Sequence, residues 1–176
     1  ITYLIYKTGL LTDYEPYIIF LNIMKYFELN EKNYNNITLN NILFIVGLPG
    51  SGKSSLAKKI NRDNDGKYMI IDDPKDFSTD VEPFLNRDFL IITDPNLCFE
   101  KNRIKAVERI KSSNPNTKID WIYFENDPES CLINSEIRNR AASISFKPTK
   151  KVDSFITNFS KYYTIPEGAN IVEVYT

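Results

Sequence analysis

Histidine is absent from this 176-residue chain, and with it goes every mechanism that needs an imidazole as base, acid or metal ligand, a Ser-His-Asp triad included. Cysteine is nearly absent too. Cys98 and Cys131 lie too far apart for a metal-ligand spacing and are too few for a disulfide scaffold, so both read as buried small residues. Charge of neither sign predominates: 22 Lys and Arg against 23 Asp and Glu leave a net charge of -1. No global positive field draws in a long nucleic acid, and any contact to one must be local. No apolar run approaches the roughly 20 residues that span a bilayer, and the first residues lack a basic-then-apolar signal pattern. The expectation is a soluble intracellular, cytoplasmic protein with no membrane partner. Glycine is scarce as well, six in all, yet three of them crowd into positions 47, 50 and 52.

What is present has the make-up of one compact domain with a sizeable core, at 42% hydrophobic and 26% charged residues. Short apolar runs alternate with helix-forming stretches. "NILFIV" reads as a central strand and is followed by a helix over about 53–61. "KYMIID" and "DFLIITD" read as second and third strands, with room for only a small helix between them. "CFEKNRIKAVERIKSS" reads as an amphipathic helix and "KIDWIYFEN" as a fourth strand. "PESCLINSEIRNR" and "VDSFITNFSKYY" read as helices, and "NIVEVYT" as a last strand. Strands alternating with helices predict an α/β fold, a mostly parallel sheet with helices on both faces. Upstream, "ITYLIYKTGL" reads as a strand and 16–29 as a helix behind a capping box at Thr12-Asp13-Tyr14-Glu15. Residues 1–40 are thus expected to be an N-terminal extension ahead of a domain over 41–176.

The first strand runs into "GLPGSGKSS". Gly47, Gly52, Lys53 and Ser54 satisfy G-x-x-x-x-G-K-[ST], and a strand before with a helix after is the context that pattern requires. Small residues let backbone N–H groups turn inward and approach phosphates where a Cβ would obstruct them. The helix start adds its positive end, Lys53 reaches β- and γ-phosphates, and Ser54 holds Mg²⁺. The expected nucleotide contacts are Gly47, Leu48, Pro49, Gly50, Ser51, Gly52, Lys53, Ser54 and Ser55. GTPases, ATP-driven motors, kinases and nucleotide-sensing modules all use such a loop. Small size favours a kinase, and the third strand ends in Thr93-Asp94-Pro95 rather than in the Asp-Glu pair of a motor.

Strand two ends in Asp72-Asp73. Ligands of a parallel sheet gather at the carboxyl ends of its strands, which sets both acids beside the γ-phosphate. A carboxylate there can accept the proton of an attacking hydroxyl. Asp-Asp-Pro equally suits an ordinary turn or a helix cap. Asp94 at the end of strand three can hold Mg²⁺ directly or through water, or can start a turn in "TDPNL". Arg138 and Arg140 near a helix end serve as solvated cations or as phosphate ligands.

Taken together, "GLPGSGKSS", "MIIDDPK", "FLIITDPNL" and "NSEIRNR", in this order, resemble the 5′-kinase domain of phage polynucleotide kinases and related small P-loop kinases. The likeness runs over about 42–140. It implies a P-loop NTPase fold of nucleoside-kinase type with a helical lid, and ATP with Mg²⁺ as donor and metal. Lys53 and Ser54 would handle phosphates and metal, with Asp94 near Ser54. Asp72 would be the general base, and Lys75 stands where that family has an arginine contacting the acceptor's phosphate. Arg138, with Arg140 as the competing assignment, would reach from the lid over the transferring phosphate. Asp72, Asp73 and Lys75 would meet the acceptor.

Two departures bear on that acceptor. Only Pro74 to Asp88 separates the acids from strand three, shorter than in the polynucleotide members, and Lys75 offers a point charge in place of a bidentate fork. A nucleic-acid 5′-hydroxyl is the leading acceptor, with a nucleoside, nucleotide or other small alcohol as alternative. A non-catalytic ATP-binding module acting through 1–40 is the third possibility. Tyr162 and Tyr163 fall in a region that lies near the adenine in related kinases, where tyrosines at a helix end more often serve packing.

Overall fold

The computed structural model describes residues 42–85, 87, 89–142 and 150–175. The strand and helix expected within 1–40, and the boundary between that extension and the domain, lie outside the described residues.

Strand β1, Ile42–Val46, is an unbroken run of five apolar side chains, and all five are buried. Such a strand has no solvent face and belongs at the centre of a sheet covered on both sides. Helix α1, Lys53–Asp63, follows it, then β2 (Met69–Asp72), the four-residue α2 (Phe77–Asp80) and a 3₁₀ turn at Glu82–Phe84. Strand β3, Leu90–Thr93, leads through a 3₁₀ turn at Pro95–Cys98 into α3, Glu100–Ser113. After β4, Ile119–Phe124, come α4 (Pro128–Ala142), α5 (Lys150–Tyr162) and the short β5 (Ile171–Val172).

The sheet has the order β2-β3-β1-β4-β5 and every pairing is parallel. In α1 the chain steps from β1 past β3 to the edge. In α3 it steps back the other way, from β3 past β1 to β4. Right-handed crossovers in opposite directions put these helices on opposite faces of the sheet. The alternation of apolar and helical stretches predicted a mostly parallel α/β sheet with helices on both faces; the sheet is all-parallel, in the P-loop fold that the resemblance implied. The core is the row Leu43, Phe44, Ile45, Ile91 and Ile92 with Leu56 and Ile60 from α1 on one side, and Ala106 and Ile110 from α3 also buried.

Because all strands run the same way, their carboxyl ends share one edge. The loop 47–52, the pair Asp72-Asp73, Asp94 and the start of α4 are gathered there by topology alone. Among the described residues, no helix is long and apolar enough to cross a membrane.

Candidate functional site

The loop after β1 is shaped by its glycines. Gly50 and Gly52 sit at φ 86° and 102°, in the left-handed region that an L side chain resists. Each is also closed to a side chain by a neighbour: a Cβ on Gly50 would stand 2.4 Å from the Cys131 carbonyl oxygen, and one on Gly52 2.6 Å from the Tyr175 ring. Gly52 is the N-cap of α1 and supplies no side-chain cap. The first amides of that helix therefore present an uncapped, positive end at the loop. The Ser51 hydroxyl is buried without a hydrogen-bond partner among the described residues. An uncapped helix start, a glycine cradle and an orphaned hydroxyl fit an anion of phosphate size.

Lys53 is buried, and its Nζ donates to the Leu48 carbonyl at 3.0 Å. Burial pulls its pKa below the ordinary lysine value, opposed chiefly by the nearby charge of Asp73. The cation is thus held over the loop, facing acids from the neighbouring strands.

The two acids at the end of β2 divide their contacts. Asp72 Oδ1 accepts from Ser54 Oγ at 2.9 Å and from Thr93 Oγ1. Parallel register explains the second contact, since Asp72 is the Cα partner of Thr93. Oδ2 of Asp72 accepts no hydrogen bond among the described residues. Asp73 turns at φ 49° while its N–H continues the ladder to the Thr93 carbonyl at 2.8 Å. A positive φ at a non-glycine residue persists only where surroundings over-determine it. Its carboxyl is pushed above the ordinary aspartate value by burial, against the pull of Lys53 and, more weakly, Arg138.

Asp94 does what its place in "TDPNL" suggested. Its Oδ1 accepts from the Asn96 N–H at 2.8 Å and caps the 3₁₀ turn Pro95–Cys98. Burial again raises its pKa, offset first by that hydrogen bond. The hydroxyl of Ser54 is therefore met by Asp72, and Asp94 lies within electrostatic reach of Asp73 and Lys53. Among the described residues no three acidic, cysteine or histidine side chains cluster as a metal site. A magnesium ion at a phosphate loop needs no such cage, because phosphates and water fill most of its octahedron.

Lys75 is exposed, and its backbone N–H is fixed by Asp80 Oδ2 at 2.7 Å. Arg138 is exposed on α4, and its charge reaches Asp73. Arg140 lies in α4, with its side chain outside the described residues. Residues 143–149, which follow α4, are also outside them.

Three residues whose contacts shape the site or its support carried little signal. Asn134 on α4 bridges the site: its Nδ2 donates to the Gly50 carbonyl at 3.0 Å and to the Tyr175 carbonyl. Tyr175 covers Gly52 and meets Phe124 edge-on, with ring centroids 5.5 Å apart. Arg103 is a buried cation on α3 that donates to Leu97 O at 2.7 Å, Cys98 O at 3.0 Å and Thr164 Oγ1 at 2.8 Å. Only Arg103 had a legible cue, since with Ala106 and Ile110 it falls on the buried stripe of its helix. Cys98 and Cys131 are buried, and burial pushes both thiols up to about 12. Neither is a nucleophile at neutral pH.

One short stretch, Thr117-Lys118-Ile119-Asp120, has the letters of the Asn/Thr-Lys-x-Asp motif by which GTPases read guanine. It leads into β4 at the opposite end of the sheet, where the Lys118 carbonyl pairs with the N–H of Ile42 at the start of β1. The phosphate loop leaves the other end of β1, so this stretch reads no base there.

Over 101 residues the chain is 32% identical to the uncharacterized protein R277 of Acanthamoeba polyphaga mimivirus, a match spanning 56% of this chain and 72% of that protein. The chain belongs to the R277 family. No family model matches it. Among solved structures, a chain of the PezAT chromosomal toxin-antitoxin system of Streptococcus pneumoniae superposes with a TM-score of 0.50 at 16% identity, over 78% of this chain and 69% of that one. A fungal RNA kinase gives 0.47 at 12% identity, over 77% and 75%. The first likeness is one of fold, and the R277-family chain shares with it the P-loop architecture described above.

Proposed function

We propose that this R277-family chain is an ATP-dependent phosphotransferase that moves the γ-phosphate of ATP to a hydroxyl. The observation that carries the reading is the face-to-face placement of a glycine-lined loop holding Lys53 and Ser54 and an acidic strand end at Asp72, joined by the Ser54–Asp72 hydrogen bond.

In the proposed step the acceptor oxygen forms a bond to the γ-phosphorus as the bond from that phosphorus to the β,γ-bridging oxygen breaks. ADP leaves with the electron pair of the broken bond, and the hydroxyl proton passes to Oδ2 of Asp72. Lys53 and the loop amides hold the phosphates in line, which is most of what catalysis of this transfer requires. Arg138, fork-shaped and permanently charged, steadies the transferring group from α4. Bound Mg²⁺, held by Ser54 with Asp94 and Asp72 in the surrounding shell, would neutralise phosphate charge. Asp73 balances the charges of Lys53 and Arg138 at the mouth of the site.

A nucleic-acid 5′-hydroxyl is the leading acceptor, on the resemblance of the motif set to polynucleotide kinases. A second reading, a small alcohol such as a nucleoside, is favoured by the segment between β2 and β3. It holds one four-residue helix and one 3₁₀ turn, and its Asp73, Asp76, Asp80, Glu82 and Asp88 outnumber Lys75 and Arg87. Incubating the chain with γ-labelled ATP and a panel of 5′-hydroxyl RNA and DNA oligonucleotides, nucleosides and sugars decides between them. Label on an oligonucleotide supports the first, label on a small acceptor supports the second. Nucleotide binding without label on any acceptor would leave only a binding module.

A further inference from the structure

The order of the sheet gives a nucleotide in this loop a direction. Asp72, Asp73 and Asp94 all stand on the β2–β3 side of β1. The transferred end of the donor faces them, so its nucleoside end runs the other way, toward β4 and β5. On that side Phe124 stands beside Gly47 and the Cys131 carbonyl behind Gly50, and two further residues, joined to each other, reach the loop's glycines. Tyr175, just beyond β5, lays its ring against Gly52. Asn134 reaches Gly50 from α4 and is tied at the same time to the Tyr175 carbonyl. The neighbouring tyrosines are otherwise engaged: Tyr163 donates its hydroxyl to the Phe124 carbonyl at 2.5 Å, and Tyr162 stands outward beside Phe99, 5.9 Å between centroids.

The side chain of Asn134 has one more property. An amide has two N–H donors on its nitrogen and an acceptor oxygen on the other side of the plane. Both donors are spent on carbonyls, which fixes which way round the group sits. Its Oδ1 accepts no hydrogen bond among the described residues, and the residue is half-buried. A pinned acceptor welcomes a donor and repels another acceptor. Adenine carries an exocyclic amine at the position where hypoxanthine and guanine carry a carbonyl.

We propose that Tyr175 and Asn134 form the wall against which the donor's base lies, with Asn134 Oδ1 accepting from the exocyclic amine, so that adenine nucleotides are selected over those of hypoxanthine and guanine. The inference rests on the nucleotide-donor reading above. A site built to hydrogen-bond one group discriminates against an analogue that lacks it, because the site's own polar atom is left unpaired.

The test is calorimetric binding of ATP, ITP, GTP and inorganic tripolyphosphate, with Mg²⁺, to the full chain and to Asn134→Ala and Tyr175→Ala. The wild type should bind ATP about tenfold or more tighter than ITP or GTP. Asn134→Ala should close most of that gap while tripolyphosphate binding stays within about twofold. Tyr175→Ala should weaken all three nucleotides by about fivefold to a hundredfold, on the scale of base stacking, and leave tripolyphosphate alone. Equal binding of ATP and ITP by the wild type overturns the inference. So does an Asn134→Ala variant that loses tripolyphosphate as much as ATP, which would make the residue a loop brace only. If the wild type binds neither tripolyphosphate nor any nucleotide, the phosphate-loop reading itself falls and takes this inference with it.

Discussion

The hydroxyl of Ser54 donates to Oδ1 of Asp72 at 2.9 Å, joining the first turn of α1 to the end of a strand two places away in the sheet. Thr93, from the strand between, donates to the same oxygen. One carboxylate oxygen is therefore fixed by two hydroxyls and the other is left to the site.

That arrangement makes Asp72→Asn the sharpest test of the chemistry. Asparagine keeps the shape and an acceptor for Ser54 and Thr93, but it takes no proton. Transfer to the acceptor should fall by about 10² to 10⁴-fold, the usual contribution of a general base, with ATP binding little changed. Full activity in this variant would remove Asp72 from the reaction, and Asp73→Asn would then be the comparison to make.

Lys53 tests the loop. Its ammonium is buried and burial holds its pKa below the ordinary value, so the charged form is disfavoured in the folded protein. Below the unfolded-state pKa the folded chain therefore carries a penalty that methionine, similar in volume and uncharged, does not. Lys53→Met should lose nucleotide binding by at least about tenfold while its melting temperature holds or rises. A variant that melts much lower and binds ATP as before would show the lysine to be structural. Thermal melting and calorimetric titration on the same sample give both readouts.

Asp94 gives a pH-dependent prediction. Its folded pKa is raised by burial, so ionisation above the unfolded value costs the folded state, and that cost disappears as pH falls through the folded pKa. Asp94→Asn keeps the cap on Asn96 and removes a half-buried charge. The variant should melt higher than the wild type at pH 7, and the difference should shrink steadily toward pH 4 as wild-type Asp94 takes up its proton. A difference independent of pH, or one that grows on acidification, would contradict the assignment. Phosphotransfer should fall in the same variant if the acid serves the metal.

The loop was legible because its shape is set by its backbone: the angles at 50 and 52 suit glycine, so the conformation leaves a mark on the sequence. The strands were legible because parallel strands at the centre of a sheet must be apolar on both faces, as Ile42–Val46 is. Element ends were less so. The expected third strand "DFLIITD" shortens to Leu90–Thr93, where Asp94 leaves the ladder to cap the turn at Pro95. The expected helix from Cys98 begins at Glu100, because Cys98 closes that 3₁₀ turn. Asn134 and Tyr175 had no pattern to betray them: they meet through a contact between segments 41 residues apart. The letters Thr117-Lys118-Ile119-Asp120 fail in the reverse way, a motif by spelling at the wrong end of its strand.

Arg103 supports the site without touching it, and its removal should show in stability. The guanidinium spans the carbonyls of Leu97 and Cys98, in the turn that Asp94 caps, and the hydroxyl of Thr164, and it lies 5.6 Å from the Tyr123 ring centroid. Replacing it by methionine fills much of the volume and takes its donor from the Leu97 carbonyl, at about 1–3 kcal/mol for an unsatisfied group, while the Cys98 carbonyl keeps the Thr164 N–H at 3.4 Å and the exposed Thr164 hydroxyl turns to water. Arg103→Met should therefore lose about 1–3 kcal/mol in urea unfolding, reading the midpoint at constant slope. Arg103→Lys should recover only part of this, since one ammonium cannot match a planar fork across three acceptors. If Arg103→Met unfolds within about 0.5 kcal/mol of the wild type, the guanidinium does not hold the Asp94 turn against the segment after α5.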